Sequence, residues 1–356
     1  MKKISYILMT LAVVASCTKT EISYDAPSHI SIAPVAKVNT KASLEGTYPT
    51  NLPLYVYANA GDPSAEESAY TAKYFENYKF EYDGTSSFVN ANAYWPNEKY
   101  LVFAGVSASG NIGAAQTPAT LSMDFANDKL TVAGYIQPFG AADVNNDLLW
   151  FPRTGKTGKP ANNASINPTM HHACALLKFN FIAEAGLKDV KIKEIVVNDL
   201  YWSGTAVCGT SSAEWTITTG ATVSPVTVYT RAEETAETTD EQKAVYTLKV
   251  KGTESPDVYR TPETVSNNTI VIPQTPTELS ITYDFTTSAG QVLRETVKVP
   301  LSIGTEKKTV DGVEKDVAIE WQSGKRYIYN ITMGADQIKI APTVKAWDDE
   351  TFPAHN

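Results

Sequence analysis

The sequence predicts an all-β protein: two tandem β-sandwich domains that follow a lipoprotein signal peptide. Three observations carry that reading. Short apolar runs recur between Gly, Pro and Asn turn signals, Leu279–Phe285 alternates apolar and polar residues like a half-buried strand, and helical patterning is scarce. Many short strands with tight connections pack as sandwiches, and 356 residues are too many for one small core.

Residues 1–16 read as the signal. Lys2 and Lys3 precede an apolar run from Ile4 to Ala15, too short to span a bilayer and closed by Val14-Ala15-Ser16. Cys17 follows, so its thiol is placed to accept a diacylglycerol before cleavage on its N-terminal side. Acyl chains contribute roughly 0.8 kcal/mol per buried methylene, so two or three of them hold a soluble domain on a membrane. Thr18, where an Asp would favour retention, points to the outer membrane. Residues 17–41 then form a lipidated propeptide with a removable edge strand, 42–165 the first sandwich, and 166–356 the second.

Strands are expected at Leu54–Ala58, Tyr100–Val106, Leu176–Ile182, Val190–Val197, Ala244–Val250, Thr269–Ile272, Leu279–Phe285, Glu295–Val299 and Tyr327–Met333. Ala65–Tyr78 is the best helix candidate, or else a loop with a single turn. Gly155–Pro168, rich in Gly, Pro, Asn and Lys, reads as a linker, and the acidic, threonine-rich Arg231–Lys243 as an exposed hairpin loop. Trp95 and Trp321 read as core or sheet-edge aromatics, and Gly324 allows a tight turn into the strand at Tyr327.

Composition excludes more than it proposes. A net charge of −9 without a basic tract makes a poor nucleic-acid binder. After Cys17 only Cys174 and Cys208 remain; an oxidising envelope would let them pair, and free cysteine is also a common buried residue, so the sequence leaves the disulfide open. His171 and His172 are the histidines on which a Ser-His-Asp or Cys-His site would depend. Strand alternation points their rings to opposite faces, one packed and one solvated. Asp143, Asn145 and Asp147 resemble the start of a calcium loop, but Leu148 stands where glycine is needed and Thr154 where a bidentate acid is needed. That stretch reads as a turn into a strand. No phosphate loop, dinucleotide fingerprint or zinc-protease helix occurs, so neither cofactor nor metal is expected and a non-enzymatic role leads. An envelope hydrolase would need carboxylates brought together in three dimensions.

Two distant segments resemble each other. Ile30-Ser-Ile-Ala-Pro-Val-Ala-Lys-Val38 and Ile338-Lys-Ile-Ala-Pro-Thr-Val-Lys-Ala346 share five of nine positions. Alternate residues make one apolar face in each: Ile30, Ile32, Pro34, Ala36 and Val38 in the first; Ile338, Ile340, Pro342, Val344 and Ala346 in the second. A central proline suits an edge strand, where its missing amide is not needed. Convergence of strand faces also explains the likeness; strand exchange is the functional alternative. Five such side chains, at roughly 1.5–3 kcal/mol each when buried, total about 8–15 kcal/mol, which rivals the stability of a domain. A groove emptied of the first segment would take an equivalent strand from a neighbour, and a head-to-tail contact that does not close makes a filament. Thr40-Lys41-Ala42-Ser43 reads either as a solvated linker or as a processing site, where a trypsin-like cut between Lys41 and Ala42 would release the lipid anchor and the edge strand together.

These residues resemble the fimbrillin-like lipoproteins of Bacteroidetes, the subunits of type V pili. The resemblance rests on the lipobox at Cys17, the Thr40-Lys41-Ala42 junction, Tyr94-Trp95-Pro96, Asp147-Leu-Leu-Trp150, Met170-His-His172 and Ile272-Pro-Gln-Thr275. Its strongest block is Trp321-Gln-Ser-Gly-Lys-Arg-Tyr327-Ile-Tyr329, followed by Ile338-Lys-Ile340 and Val344-Lys-Ala-Trp347. It implies two transthyretin-like sandwiches, delivery to the cell surface as an outer-membrane lipoprotein, proteolytic loss of the first strand, and polymerisation through a strand of the next subunit. The implied partners are other pilus subunits, a trypsin-like protease, the outer membrane through the lipid, and a surface receptor. Lys41 departs from the family's arginine; an arginine-only protease would leave the groove filled and the subunit an anchor or accessory. The alternative is a non-polymerising surface lipoprotein that binds glycan or host protein through exposed aromatics.

Overall fold

The computed structural model describes residues 28–36, 52–108, 112, 118–138, 147–161, 164–218, 223–234, 239, 246–260, 268–302, 305–310, 313–334 and 338–346. Residues 1–16, expected as a signal peptide, and Cys17, Val38, Lys41, Ala42, Asp143, Asn145 and the tail 347–356 lie outside them. The first strands in chain order are β1 (His29–Ile32), β2 (Val35–Ala36), β3 (Leu54–Gly61), β4 (Ala72–Tyr82), β5 (Phe88–Tyr94) and β6 (Tyr100–Ala108). Then come β7 (Thr120–Asp124), β8 (Lys129–Ile136), β9 (Leu148–Phe151), β10 (Thr169–His172) and β11 (Ala175–Ala183). They are followed by β12 (Lys188–Tyr201), β13 (Ser203–Cys208), β14 (Ala213–Ile217), β15 (Val223–Thr230), β16 (Asn268–Val271) and β17 (Glu278–Thr286). The last are β18 (Val292–Pro300), β19 (Thr305–Val310), β20 (Val313–Ala318), β21 (Lys325–Met333) and β22 (Ile338–Ala346).

The protein is all-β and built of packed sheets, as the alternation predicts. An eight-stranded sheet runs β1-β5-β4-β3-β6-β9-β10-β2 and faces a four-stranded sheet, β14-β13-β8-β7. Two further four-stranded sheets, β16-β11-β21-β22 and β15-β12-β17-β18, enclose the second main core, and β19-β20 is a separate hairpin. Strands β3, β6 and β9 are buried on both faces. Leu54, Val56, Phe103, Leu149 and Phe151 point into one core, and Tyr55, Tyr57, Ala104, Val106, Leu148 and Trp150 into another. That double burial is why these strands read as continuous apolar runs.

Three expectations change. Residue 165 does not divide the sheets: beyond it, β10 pairs with β9 and β2, and β13 pairs with β8. Chain order placed the cut, but strand pairing crosses it. The helix candidate at 65–78 is a single 3-10 turn, Glu67–Ala69, followed by β4. In β4, Asn77 takes a left-handed conformation (φ 54°) beside register shifts against β3. The bulge adds one residue, so Phe75 and Phe80, five apart, are both buried. Period two is broken there, and the sequence loses its strand signature. Of the run expected at 244–250, the described residues 246–250 make isolated bridges at Thr247 and Val250 and no strand.

Other features sit as read. Trp95 and Trp321 are buried, and Gly324 (φ 66°) turns into β21. Trp321 Nε1 donates to the Tyr329 hydroxyl (2.8 Å), and the Gly324 amide donates to the Cys174 carbonyl (2.9 Å). Cys174 and Cys208 are free, both buried, and burial pushes both thiols up.

The stretch expected as an exposed hairpin begins with a buried residue. Arg231 is 2% exposed; it donates to Asp284 Oδ2 (2.6 Å), Glu234 Oε1 (2.9 Å) and the Ile192 carbonyl (3.1 Å). Arg294 of β18 binds Asp284 Oδ1 (2.6 Å) and Glu233 (3.0 Å), fixing β18 to β17. Hydrogen bonds from Arg294 and Lys193 draw Glu233 down to about 2. Burial alone would raise Asp284, but Arg294 and Arg231 outweigh it and hold the carboxyl below its usual range. A depressed carboxylate stabilises the fold above its unfolded pKa of about 3.9, and that contribution is lost as pH falls through the native value. Urea unfolding should therefore show stability declining below about pH 4. Asp284→Asn should flatten that decline and cost about 2 kcal/mol at neutral pH, less than for a fully buried pair because Asp284 keeps some solvent contact.

Candidate functional site

Residues 28–36 hold a place that no other described segment has. They form both edges of the eight-stranded sheet. β1 pairs antiparallel with β5 through His29↔Tyr94, Ser31↔Val89 and Ile32↔Phe88, and β2 pairs parallel with β10 through Val35↔Thr169 and Ala36↔Met170. Ala33 and Pro34 join the two. Pro34 has no amide to offer and falls where pairing passes from one wall to the other. The far wall begins at Ser165. The Ala33 amide donates to the Ile166 carbonyl (2.9 Å), the Ile166 amide donates to the Ser31 carbonyl (3.0 Å), and the Ser31 and Ser165 hydroxyls are 2.7 Å apart. At the entrance the Trp95 amide donates to the Ser28 carbonyl (2.9 Å), and the His29 ring lies 4.3 Å from that of Tyr94. One short segment thus fills a slot and closes the sheet on itself.

The slot is lined with apolar side chains. Ile30 and Ile32 are fully buried in a core with Leu54, Val56, Phe88, Trp95, Phe103 and Met170. The core draws its side chains from this sheet and its flanks, so the sheet wraps around them. Of the five apolar positions read in this segment, the structure documents two fully buried and Pro34 half-buried. The side chains of Ala36 and Val38 are outside the described residues. Two isoleucines contribute about 3–6 kcal/mol, less than the five-residue figure, with a further increment of about 1 kcal/mol from each backbone hydrogen bond.

The C-terminal counterpart of this segment, Ile338–Ala346, is the whole of β22. It pairs antiparallel with β21 from Ile338↔Met333 to Ala346↔Lys325, and it is the edge strand of its sheet. Ile338, Ile340, Pro342 and Val344 alternate with exposed residues as predicted, yet all are half-buried rather than buried. Ile338, Ile340 and Val344 pack on the rim of the second core. The two segments thus share an inward apolar face and an edge position; they differ in depth.

Sequence reasoning missed the walls of the slot. Gly155–Pro168 is no free linker: Thr157 bridges Leu101 and Ile166 bridges Ile32. The opposite wall, β5, carried too few apolar residues to register as a strand. The histidine pair lies just beyond. His171 packs on Trp150 (5.2 Å between rings), whereas His172 is buried with its Nδ1 2.5 Å from Asp147 Oδ2. Asp147, read as the end of a calcium-like stretch, faces inward to that histidine. Among the described residues no three His, Cys, Asp or Glu side chains converge as a metal site.

Substitution separates the two segments. Ile30→Ala and Ile32→Ala should each cost about 2–5 kcal/mol in urea unfolding and raise amide exchange in β5 and β10. Ile338→Ala and Ile340→Ala, at half-buried positions, should cost less than either.

The profile of the fimbrillin-like family matches residues 40–347. A fimbrial protein from Bacteroides vulgatus is 13% identical, with a TM-score of 0.53 over 89% of this chain and 99% of that one. A candidate cell adhesion protein from Bacteroides uniformis is 14% identical, with a TM-score of 0.49 over 90% of this chain and 99% of that one. The C-terminally truncated tip fimbrial protein Mfa3 from Porphyromonas gingivalis is 12% identical, with a TM-score of 0.37 over 90% of this chain and all of that one. At that identity the likeness to the Bacteroides vulgatus protein concerns the fold alone. No curated protein matches significantly.

Proposed function

The chain belongs to the fimbrillin-like family, and from that premise we propose that it is a pilus subunit delivered as an outer-membrane lipoprotein and assembled by protease-triggered strand exchange. Membership in the family supports a pilus or adhesion subunit at the cell surface, with a structural rather than enzymatic role. The finer steps are our reading. Lipidation at Cys17 anchors the precursor, and a trypsin-like cut between Lys41 and Ala42 frees the segment that carries Ile30, Ile32, Pro34 and Val38. The emptied slot then accepts a strand from the next subunit.

The observation that carries this reading is the double-edged slot. One segment of nine described residues pairs with both edges of the largest sheet and buries two isoleucines, and the proposed cut lies downstream of it. Its loss would leave two unpaired edges side by side over an open core, a strong template for another strand. The proposed donor is β22, with Ile338, Ile340, Pro342 and Val344 facing the acceptor. Two facts favour it: it repeats the Ile-x-Ile-Ala-Pro pattern of the segment it would replace, and its apolar residues are only half-buried at the edge of its own sheet.

The experiment treats purified chain lacking signal and lipid with trypsin, then reads intact mass and native gel on one sample. Cleavage after Lys41 followed by a ladder of stable oligomers is the expected result. Cleavage that leaves only monomers, or no cleavage there, would overturn the proposal in favour of an anchor, tip or non-polymerising surface binder. In the same assay Ile338→Asp combined with Ile340→Asp should abolish the ladder while the monomer stays folded by circular dichroism. An unchanged ladder would move the donor role elsewhere, to 348–356.

A further inference from the structure

A cleft of about 340 Å³ opens where the 3-10 turn and β4 meet the turn between β7 and β8, away from the slot. Tyr57, Tyr70, Phe75 and Phe125 supply its apolar lining, and Asn59 and Glu76 stand among them. The volume suits a small ligand, and an apolar lining with a few fixed polar groups is the usual makeup of such sites.

The walls are set before any ligand arrives. Arg153, on the far side of the cleft wall, donates to the Phe125 carbonyl (3.2 Å) and to the Glu67 carbonyl (2.5 Å), tying the β7–β8 turn to the 3-10 turn. Tyr70 is held by its hydroxyl on the Asp62 carbonyl (2.9 Å), while Asn59 Nδ2 donates to the Tyr70 carbonyl (2.9 Å). Gly61 permits this: a Cβ there would meet the Tyr70 ring at 2.6 Å. A preformed cleft spares a ligand the cost of ordering it.

One group in it is unsatisfied. Tyr57 is 2% exposed, and its hydroxyl has no hydrogen-bond partner. A buried hydroxyl left so costs free energy until something pairs with it. Burial, with the nearby Glu76 charge, raises this phenol, so at neutral pH it keeps its proton and can donate. The charges around the cleft are already engaged. Glu76 pairs with Lys73 (2.8 Å), Glu67 accepts the Lys156 amide (2.9 Å), and Asp124 accepts from Ala126 (3.0 Å) and from Asn127 Nδ2 (2.7 Å). Lys73 is the one basic residue of the lining and it is paired with Glu76, so an anion finds no free counter-charge, whereas a molecule with an apolar face and hydroxyls on its edge meets both features.

We propose that this cleft binds a neutral saccharide, its ring against the aromatic walls and one of its oxygens accepting from the Tyr57 hydroxyl. A neighbouring ligand hydroxyl would donate to Glu76. The lining includes no residue of β1, β2, β5 or β10, and Phe75 alone is shared with the core that holds Ile30 and Ile32.

The test presents the full chain in mild detergent to an array of neutral, acidic and amino glycans, then measures a retained glycan by calorimetry against two variants. Tyr57→Phe deletes only the unpaired hydroxyl; it should weaken binding about tenfold without lowering Tm, because no protein hydrogen bond is lost. Ala126→Trp, at an exposed position on the wall, should abolish binding by filling the space. Both variants should still form oligomers in the trypsin assay if the wild type does. Retention of charged glycans alone, retention of none, or equal affinity of wild type and both variants would each overturn the proposal.

Discussion

A sheet needs partners for the amides and carbonyls at its two edges, and here one short segment serves both. Everything else in the first half of the molecule follows from that closure. Because β1 meets β5 and β2 meets β10, the eight strands wrap around their own side chains instead of lying open. The interior is then complete only when Ile30 and Ile32 are in place. Stability and access are opposed in such an arrangement: the segment that satisfies both edges also fills the place where another strand could pair.

The same logic extends to the outer face of the wrapped sheet. Strands β3, β6 and β9 have no solvent side, because the β14-β13-β8-β7 sheet covers them. That covering sheet takes β7 and β8 from one part of the chain and β13 and β14 from another. The two halves are therefore sewn together by pairing rather than joined by a tether. His172 and Cys174 lie at this seam, where the Ser323 hydroxyl donates to the His172 carbonyl (3.0 Å) and the Gly324 amide to that of Cys174. A polar seam of this kind fixes orientation because each group has a specific partner.

Local exceptions to strand geometry mark the places of functional interest. The Asn77 bulge brings Phe75 and Phe80 to one side of β4, and Phe75 then becomes part of the saccharide cleft's lining. Gly61 clears room for Tyr70 beside it. Neither feature has a recognisable motif in sequence, since one depends on a backbone angle and the other on a contact across strands.

The sequence by itself determined the strand class, the buried aromatics Trp95 and Trp321, the turn at Gly324 and the alternating face of β22, because period, residue type and turn chemistry are local properties. It also made the likeness of residues 30–38 and 338–346 visible. Only the tertiary structure decided that the first of these pairs on both sides and splits at Pro34, that the stretch before Pro168 forms a wall of its slot, and that β13 and β14 cover the first sheet. Those outcomes depend on which edges meet, and edge pairing is made by backbone groups that every residue carries alike. The orphaned Tyr57 hydroxyl belongs to the same class: its identity is written in the chain, but its lack of a partner is a property of the space around it.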